Sequence, residues 1–446
     1  MREKNIHHIS KGYDILLKGA AEQVIGLHKS SQYHISPSDF RWLKPELLVE
    51  VGDTVKVGTP LFADSNNEKI VIVSPANGKI TDIVRGEKRS IQSIEIAGDG
   101  SENETETTIP AEFGRNEVID ILLGNGLWPA VRQRPFSIIA NPDDTPKALF
   151  ISCFDTAPLA PDISFILKDK KEEFKKGVEI LKMLAPVTLC MRPNADNVIF
   201  ESIAGTDKHY FSGPHPAGNI GTQIHKTNPI NKSETVWFVN PQDVVTIGRV
   251  FLHGRLSFEK TIALTGPCAQ NPQYYTMTYG TDISQLTGSF SSINDKNLRI
   301  ISGNILTGKQ LSENMSVRFY DSQITVIGEG GKREFIGWLL PGLKKWSFSH
   351  TFLAFLSKKR KYDFDTTMHG EKRNFVMTDI YEKVFPFDIL PMELLKACLI
   401  KDVELMEDLG IYEVDDEDFA LCEVVCPSKT ECQKIIREGL FTVKNS

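Results

Sequence analysis

The sequence predicts a multidomain protein that joins β-only modules to an α/β module and a helical C-terminal part. Three observations predict it. Residues 49–62 and 74–80 alternate apolar and polar side chains and are broken by Gly, Asp and Pro, the pattern of half-buried strands joined by tight turns. From residue 148 to 252, apolar runs of strand length alternate with helical periodicities, which predicts a parallel sheet. Beyond residue 392 only helical spacing remains. A chain of 446 residues is also too long for one core, and its length corresponds to about three or four domains.

The first module is placed at residues 1–100. Val51-Gly52-Asp53-Thr54-Val55 and Ser74-Pro75-Ala76-Asn77-Gly78-Lys79-Ile80 resemble the barrel-sandwich hammerhead of biotinyl and lipoyl carrier domains. In those carriers a lysine at a hairpin tip bears the cofactor. Here the tip reads Ser65-Asn66-Asn67-Glu68-Lys69, without Met-Lys-Met or Asp-Lys-Ala. A barrel-sandwich hybrid fold is therefore expected without carrier chemistry, and Lys69 is expected to be a solvated turn lysine.

A polar, acidic stretch at 99–108 reads as a linker. The α/β module, 101–258, begins with a helix at 117–127, where Val118, Ile121 and Leu122 share a face. Strands are expected at 148–154, 186–191 and 198–203, with helices at 164–184 and 240–252. The last opens on Asn-Pro, a capping signal. Alternating strands and helices predict a Rossmann-like sheet. Short strands and a helix-like 282–286 predict a β-grasp module at 259–330. The remainder, 331–446, opens with Phe335, Trp338, Trp346 and Phe348 and closes in helices near 392–409 and 430–440. Its acidic run Asp415-Asp416-Glu417-Asp418 reads as a helix N-terminal turn, where carboxylates meet the positive end of the dipole.

Composition excludes several classes. A net charge of −7 gives no electrostatic reason to bind nucleic acid or an anionic membrane. No apolar run approaches the ~20 residues that cross a bilayer, so membrane association is expected to run through a partner. Seven scattered cysteines read as reduced cytoplasmic thiols.

Candidate chemistry is sparse. Gly213-Pro-His215-Pro-Ala-Gly218 is the nearest approach to a phosphate-cradling loop, but its two prolines remove backbone donors and it lacks the Walker lysine. It is read as a rigid or partner-facing loop at Gly213, His215 and Gly218. Cys422, Cys426 and Cys432 lack the Cys-x2-Cys spacing of cluster or zinc sites, and His209, His215 and His225 lie far off in sequence. His7, His8, His28 and His34 show no ligand spacing. No catalytic triad or metal site is assigned. Trp128, Arg132, Arg134 and Phe136 fall in one turn-rich stretch, where aromatic faces can pack a flat ring and guanidinium groups can hydrogen-bond carbonyls or pair with carboxylates on a partner. The alternative is an interdomain core, with the arginines satisfying buried carbonyls or acids.

In order, the segments resemble the NqrA family, the alpha subunits of the sodium-translocating NADH:quinone oxidoreductase. The resemblance runs through Ile9-Ser10-Lys11-Gly12-Tyr13-Asp14, Gly124-x-Gly-Leu-Trp128, Arg134-Pro-Phe-Ser137, Asp155-Thr-x-Pro-Leu-Ala-Pro-Asp162, Gly213-Pro-His-Pro-Ala-Gly218, Phe335-Ile-Gly-Trp338, Pro386-Phe-Asp-Ile-Leu-Pro391 and Leu421-Cys-x-x-Val-Cys-Pro427. It implies a peripheral protein on the cytoplasmic face of a bacterial inner membrane, docked on the membrane-embedded B subunit and assembled with the B to F subunits. The complex oxidises NADH, reduces a quinone such as ubiquinone, and exports Na+; the resemblance makes Trp128, Arg132, Arg134 and Phe136 the candidates for contact with the quinone or with the B subunit. The fold implied is similar to the flavin-binding subunit of complex I and to its counterpart in the Rnf complex, with an SLBB-like β-grasp part. Those relatives bind flavin and iron–sulfur clusters through motifs this chain lacks, so no cofactor is expected here. An electron-transfer flavoprotein and a biotin or acyl carrier are the competing readings. Cys432 departs from the family's expected C-terminal pattern.

Overall fold

The computed structural model describes residues 5–446 except 194, 196, 290–296, 312–314, 331–340, 344, 358–359 and 376–378. Seven strands make its central sheet: β1 (Ile6–His8), β2 (Arg132–Arg134), β3 (Ile138–Ile139), β4 (Leu149–Ser152), β5 (Val187–Met191), β6 (Asp207–Ser212) and β7 (Val236–Phe238). Their order is β1-β6-β5-β4-β7-β2-β3. The first five in that order are parallel, and β2 and β3 add an antiparallel edge. Every residue of β5 is buried, as a parallel strand covered on both faces requires. The chain steps from β4 through β5 to β6 in one direction and then returns, placing β7 on the other side of β4.

The named helices are α1 (Arg115–Gly124), α2 (Lys171–Leu181), α3 (Ile220–Thr227), α4 (Pro241–His253), α5 (Pro391–Ile400) and α6 (Cys432–Lys444). Helices α2 and α4 touch backbone to backbone. A Cβ on Gly248 would lie 1.7 Å from the Glu173 carbonyl oxygen, and one on Gly177 2.0 Å from that of Val244. Two expectations change here. The helix expected at 164–184 is two helices, Ile163–Leu167 and α2. The strand expected at 198–203 is a helical turn, Val198–Glu201, because Ile199 and Ile203, four residues apart, both turn inward. The strand itself lies further on, as β6.

The N-terminal barrel pairs a four-stranded sheet (Gln32–Ile35, Ile91–Gly98, Gly78–Arg85, Thr54–Val55) with a three-stranded one (Pro45–Leu47, Pro60–Asp64, Asn67–Val73). Ile35, Leu61, Phe62, Ile80, Ile94 and Ile96 fill its interior. The hairpin turn is residues 65–66, where the Asn66 N–H donates to Asp64 Oδ1 at 3.0 Å. Lys69 lies within the second strand, exposed, with Nζ 3.1 Å from Asp143 Oδ1.

The expected boundary 1–100 is not a spatial one at its start. Strand β1 pairs with β6, and Glu22–Leu27 pairs in parallel with Gln273–Thr278 of a six-stranded sheet that also holds Glu259–Thr265, Leu298–Ser302, Lys309–Gln310 and Gln323–Gly328. The first residues thus cover two otherwise open sheet edges, which is how exposed ladders are commonly closed. Of the helix-like 282–286, residues 284–286 lie in a 3-10 segment, Ser284–Ser289, while Asp282 forms an isolated bridge with Ser316.

In the C-terminal part, α5, Val403–Asp408, Ala420–Val425 and α6 enclose Leu394, Leu395, Met406, Phe419, Ile436 and Leu440. Cys422, Cys426 and Cys432 are buried there, and Cys426 Sγ accepts from the Tyr381 hydroxyl at 2.9 Å and the Thr430 N–H at 3.3 Å. The described residues among 341–375 are mostly irregular. Trp346 and Phe348 pack edge-on against Tyr13, at 5.8 and 5.3 Å, whereas Phe335 and Trp338 lie outside the described residues. No helix among the described residues is long and apolar enough to cross a membrane.

Candidate functional site: an interdomain cleft

A cleft of about 1250 Å³ opens at the carboxyl ends of β4 and β7, between which the strand order reverses. In open parallel sheets this crevice is where ligands bind. Ser152, Phe154 and Asp155 enter it from the end of β4, and Val239 and Asn240 from the end of β7. The barrel supplies Asp39, Arg41 and Trp42, the 259–330 module supplies Arg318 and Tyr320, and the acidic turn supplies Asp415, Asp416 and Glu417.

Of the four residues singled out between 128 and 136, Arg132 lines this cleft. Its guanidinium lies between two rings, 4.4 Å from the Phe238 centroid and 4.1 Å from that of Tyr320. Its Nη2 donates to Asn240 Oδ1 at 3.1 Å, and its Nε has no hydrogen-bond acceptor among the described residues. Burial works against its charge and lowers its pKa, and the facing rings compensate through cation–π attraction. Arg41 is similar. Its Nη1 binds Asp415 Oδ1 at 2.5 Å, while Nε and Nη2 find no acceptor among the described residues.

The other three residues take structural places. Trp128 is fully buried, donates Nε1–H to the Ala140 carbonyl at 2.7 Å and meets Trp237 edge-on at 5.4 Å. Phe136, with φ at 81°, packs at 6.1 Å from Trp42 and 6.2 Å from Tyr412. Arg134 is 1% exposed and faces three carboxylates: Glu417 at 2.5 Å, Asp418 at 3.2 Å and Asp415 at 3.8 Å. Burial opposes its charge, but these acids outweigh burial and raise its pKa. Asp415, between Arg134 and Arg41, is held well below the usual carboxylate range in spite of burial. The acidic run does form a helical turn, with Asp415 and Asp418 closing a capping box, and it also receives arginines from two other modules.

Loop 213–218 lies inside the molecule, not on an outer face. A Cβ on Gly213 would sit 2.0 Å from the Ile9 carbonyl oxygen, and one on Gly218 2.6 Å from the Thr156 nitrogen. Its glycines therefore admit the chain's own backbone. The His215 N–H donates to Asp14 Oδ1 at 2.8 Å, and its Nδ1 lies 3.2 Å from Thr156 Oγ1. His215 and Gly218 line the cleft with Arg132, so the two stretches picked out separately in the sequence converge. Arg41, Asp39 and Tyr320 were not singled out. The acidic run was the available signal for Arg41, since four successive carboxylates in a buried turn need cations. Asp39, which accepts from the Tyr279 hydroxyl and the Phe319 N–H at 3.0 Å each, is pushed by burial up to about 6. His225 joins α3 to the helical part, with Nδ1 2.7 Å from Glu413 Oε2 and Nε2 accepting the Asp388 N–H at 3.0 Å. Among the described residues, no group of three His, Cys, Asp or Glu side chains could hold a metal ion.

Two outcomes follow from this geometry. Arg134→Ala strands buried carboxylates and is expected to lower the unfolding free energy by about 3–5 kcal/mol in urea titrations. For His215, burial holds the pKa down to about 4. Between pH 6.5 and 4 the unfolded chain takes up a proton that the folded chain refuses. This contribution is thus present above pH 6.5 and is lost as pH falls toward 4, by about 3 kcal/mol in all. The stability of His215→Gln, measured at pH 7 and 4.5, should change less across that window than that of the parent chain.

The matches to known proteins agree with this architecture. Family models match residues 7–99 (the NqrA N-terminal barrel-sandwich hybrid domain), 113–256 (the NqrA second alpha/beta domain) and 261–313 (the NqrA C-terminal domain, of SLBB type). The NqrA subunit of the Na+-translocating NADH-quinone reductase of Hahella chejuensis is 38% identical, over 98% of this chain and 99% of its own. That of Rhodopirellula baltica is 36% identical over 99% and 98%, and that of Neisseria meningitidis serogroup B 38% over 98% and 99%. Among solved structures, an NAD+-reducing NiFe hydrogenase in the air-oxidized state superposes with a TM-score of 0.39 at 11% identity. It covers 73% of this chain and 60% of that one, too loosely to carry an argument. By its full-length relatives and its three matched domains, the chain belongs to the NqrA family of Na+-translocating NADH-quinone reductase subunits.

Proposed function

We propose that this chain is the peripheral NqrA subunit of a Na+-translocating NADH-quinone reductase and holds a quinone headgroup in the interdomain cleft. It docks on the membrane-embedded B subunit, at the cytoplasmic face of a bacterial inner membrane, in a complex with the B to F subunits. The names of its relatives support the assignment to the complex. The observation that carries the quinone reading is Arg132, a half-buried cation clasped by Phe238 and Tyr320 with its buried Nε–H left over at the switch point of the sheet. A quinone offers what that site lacks: a flat ring and carbonyl oxygens that accept hydrogen bonds. The β6-β5-β4-β7 order supports a Rossmann-like reading of the α/β module.

The chain carries no flavin or iron–sulfur cluster of its own in this reading, so NADH oxidation belongs to other subunits. Two features support that. The glycines of loop 213–218 are crowded by Ile9, just after β1, and by Asp155–Thr156 of the same chain, not left open to a phosphate. Cys426 has its sulfur hydrogen-bonded by Tyr381 and Thr430 within a helical core.

Equilibrium binding of a short-chain ubiquinone to the purified chain tests the cleft. Arg132→Gln should weaken it about tenfold or more, the worth of one charge-assisted hydrogen bond, while the melting temperature stays within a few degrees. Unchanged affinity removes the quinone from this cleft. Protein produced with iron and riboflavin supplied should be colourless, and a stoichiometric chromophore lost in Cys422→Ser would contradict the cofactor-free reading.

A further inference from the structure

Residues 341–362 contain six Lys and Arg, at 344, 345 and 358–361, and no acid, in a chain whose net charge is −7. The same stretch holds Leu343, Trp346, Phe348, Phe352, Leu353, Phe355 and Leu356. Its described residues fold back on themselves into one tip. The Leu353 N–H donates to the Pro341 carbonyl at 3.0 Å, Arg360 Nη1 donates to the Leu343 carbonyl, and Phe352 packs over Gly342. These bonds bring Leu343, Leu353, Phe355 and Leu356 together, and all four are exposed, Leu343 at 63% and Leu356 at 70%. The Lys345 ammonium lies 5.6 Å from the Phe352 ring, Arg360 reaches the backbone of Leu343, and Lys361 is exposed.

We infer that this tip is a direct contact with the anionic lipid surface of the membrane. Single exposed leucines are ordinary on a protein surface, but four exposed apolar side chains within a stretch of sequence that carries six cations and no acid are not. Apolar side chains of this size reach into the headgroup region, while lysine and arginine lay their stems alongside and meet lipid phosphates. Each cation near an anionic leaflet contributes attraction that the bulk negative charge of the chain does not cancel, because screening confines it to about a Debye length. The whole-chain charge argument against anionic membranes therefore fails locally. This surface lies outside the cleft and does not depend on what the cleft holds.

The full-length chain is to be sedimented with vesicles of phosphatidylcholine alone and with one third phosphatidylglycerol, at low and high salt. Binding should require phosphatidylglycerol and fade at high salt. Lys345→Gln and Lys361→Gln should each weaken it about fivefold, and Leu356→Ser should weaken it by at least as much. Melting temperature and ubiquinone affinity should stay at parental values in all three. Three results would overturn the proposal: no binding to the phosphatidylglycerol vesicles, variants that bind like the parent, or binding only to vesicles carrying the membrane-embedded proteins of the complex. The last would assign the tip to a protein partner instead.

Discussion

The buried ion cluster around the acidic turn fixes how the modules meet. Arg134 comes from the central sheet, Arg41 from the barrel, and Asp415, Glu417 and Asp418 from the helical part, with Arg437 of α6 closing on Asp416 at 2.6 Å. An exposed ion pair could slide or open at little cost. A cluster with Arg134 at 1% exposure cannot, because separating the modules leaves charges facing a low-dielectric interior without partners. The cluster demands one relative placement of three modules, and that placement walls the cleft.

The N-terminal segment imposes a second constraint. Its first strand completes the central sheet, its second completes the 259–330 sheet, and only then does the chain enter the barrel. Folding the barrel alone would leave both sheets with an open edge. The modules are therefore sequential in the chain but interlocked in space, and loop 213–218 shows the cost of that interlock. Gly213 has no room for a side chain because Ile9, just past the end of β1, lies against it.

Much of this was legible in the sequence where pattern and local chemistry agree. The alternating runs with Gly-Asp and Ser-Pro turns foretell the barrel strands, and Asn240-Pro241 foretells the start of α4. Residues 198–203 misled because a short apolar run satisfies a strand and a helical turn equally, and Ile199 and Ile203 settle it only once the core is known. The destinations of β1 and of Glu22–Leu27 were illegible, since sequence spacing carries no information about which distant edge a short strand will join. The site was half legible. Arg132 and His215 carry chemistry that the sequence displays and line the cleft, whereas Trp128 and Arg134, which display as much, are buried for packing and charge pairing. A guanidinium in a turn looks the same in sequence whether it faces a cleft or a carboxylate, and what separates Arg132 from Arg134 is two residues of strand register.

The cleft and the basic tip are held at a fixed spacing by the same short stretch of backbone. The Tyr13 N–H donates to the His215 carbonyl at 2.8 Å, beside the cleft. A few residues on, the Lys18 N–H donates to the Tyr362 carbonyl at 3.1 Å and the Tyr362 N–H to the Leu16 carbonyl at 2.8 Å, at the base of the tip. Lys18 adds an ion pair to Asp363 at 2.7 Å. Spatial continuity of this kind is no evidence of signalling between the two places, since nothing in it has a second arrangement to switch to. Its physical consequence is geometric. A tip resting on a membrane surface would set the height and orientation of the cleft above it, and residues 13–18 would transmit that placement as a strut.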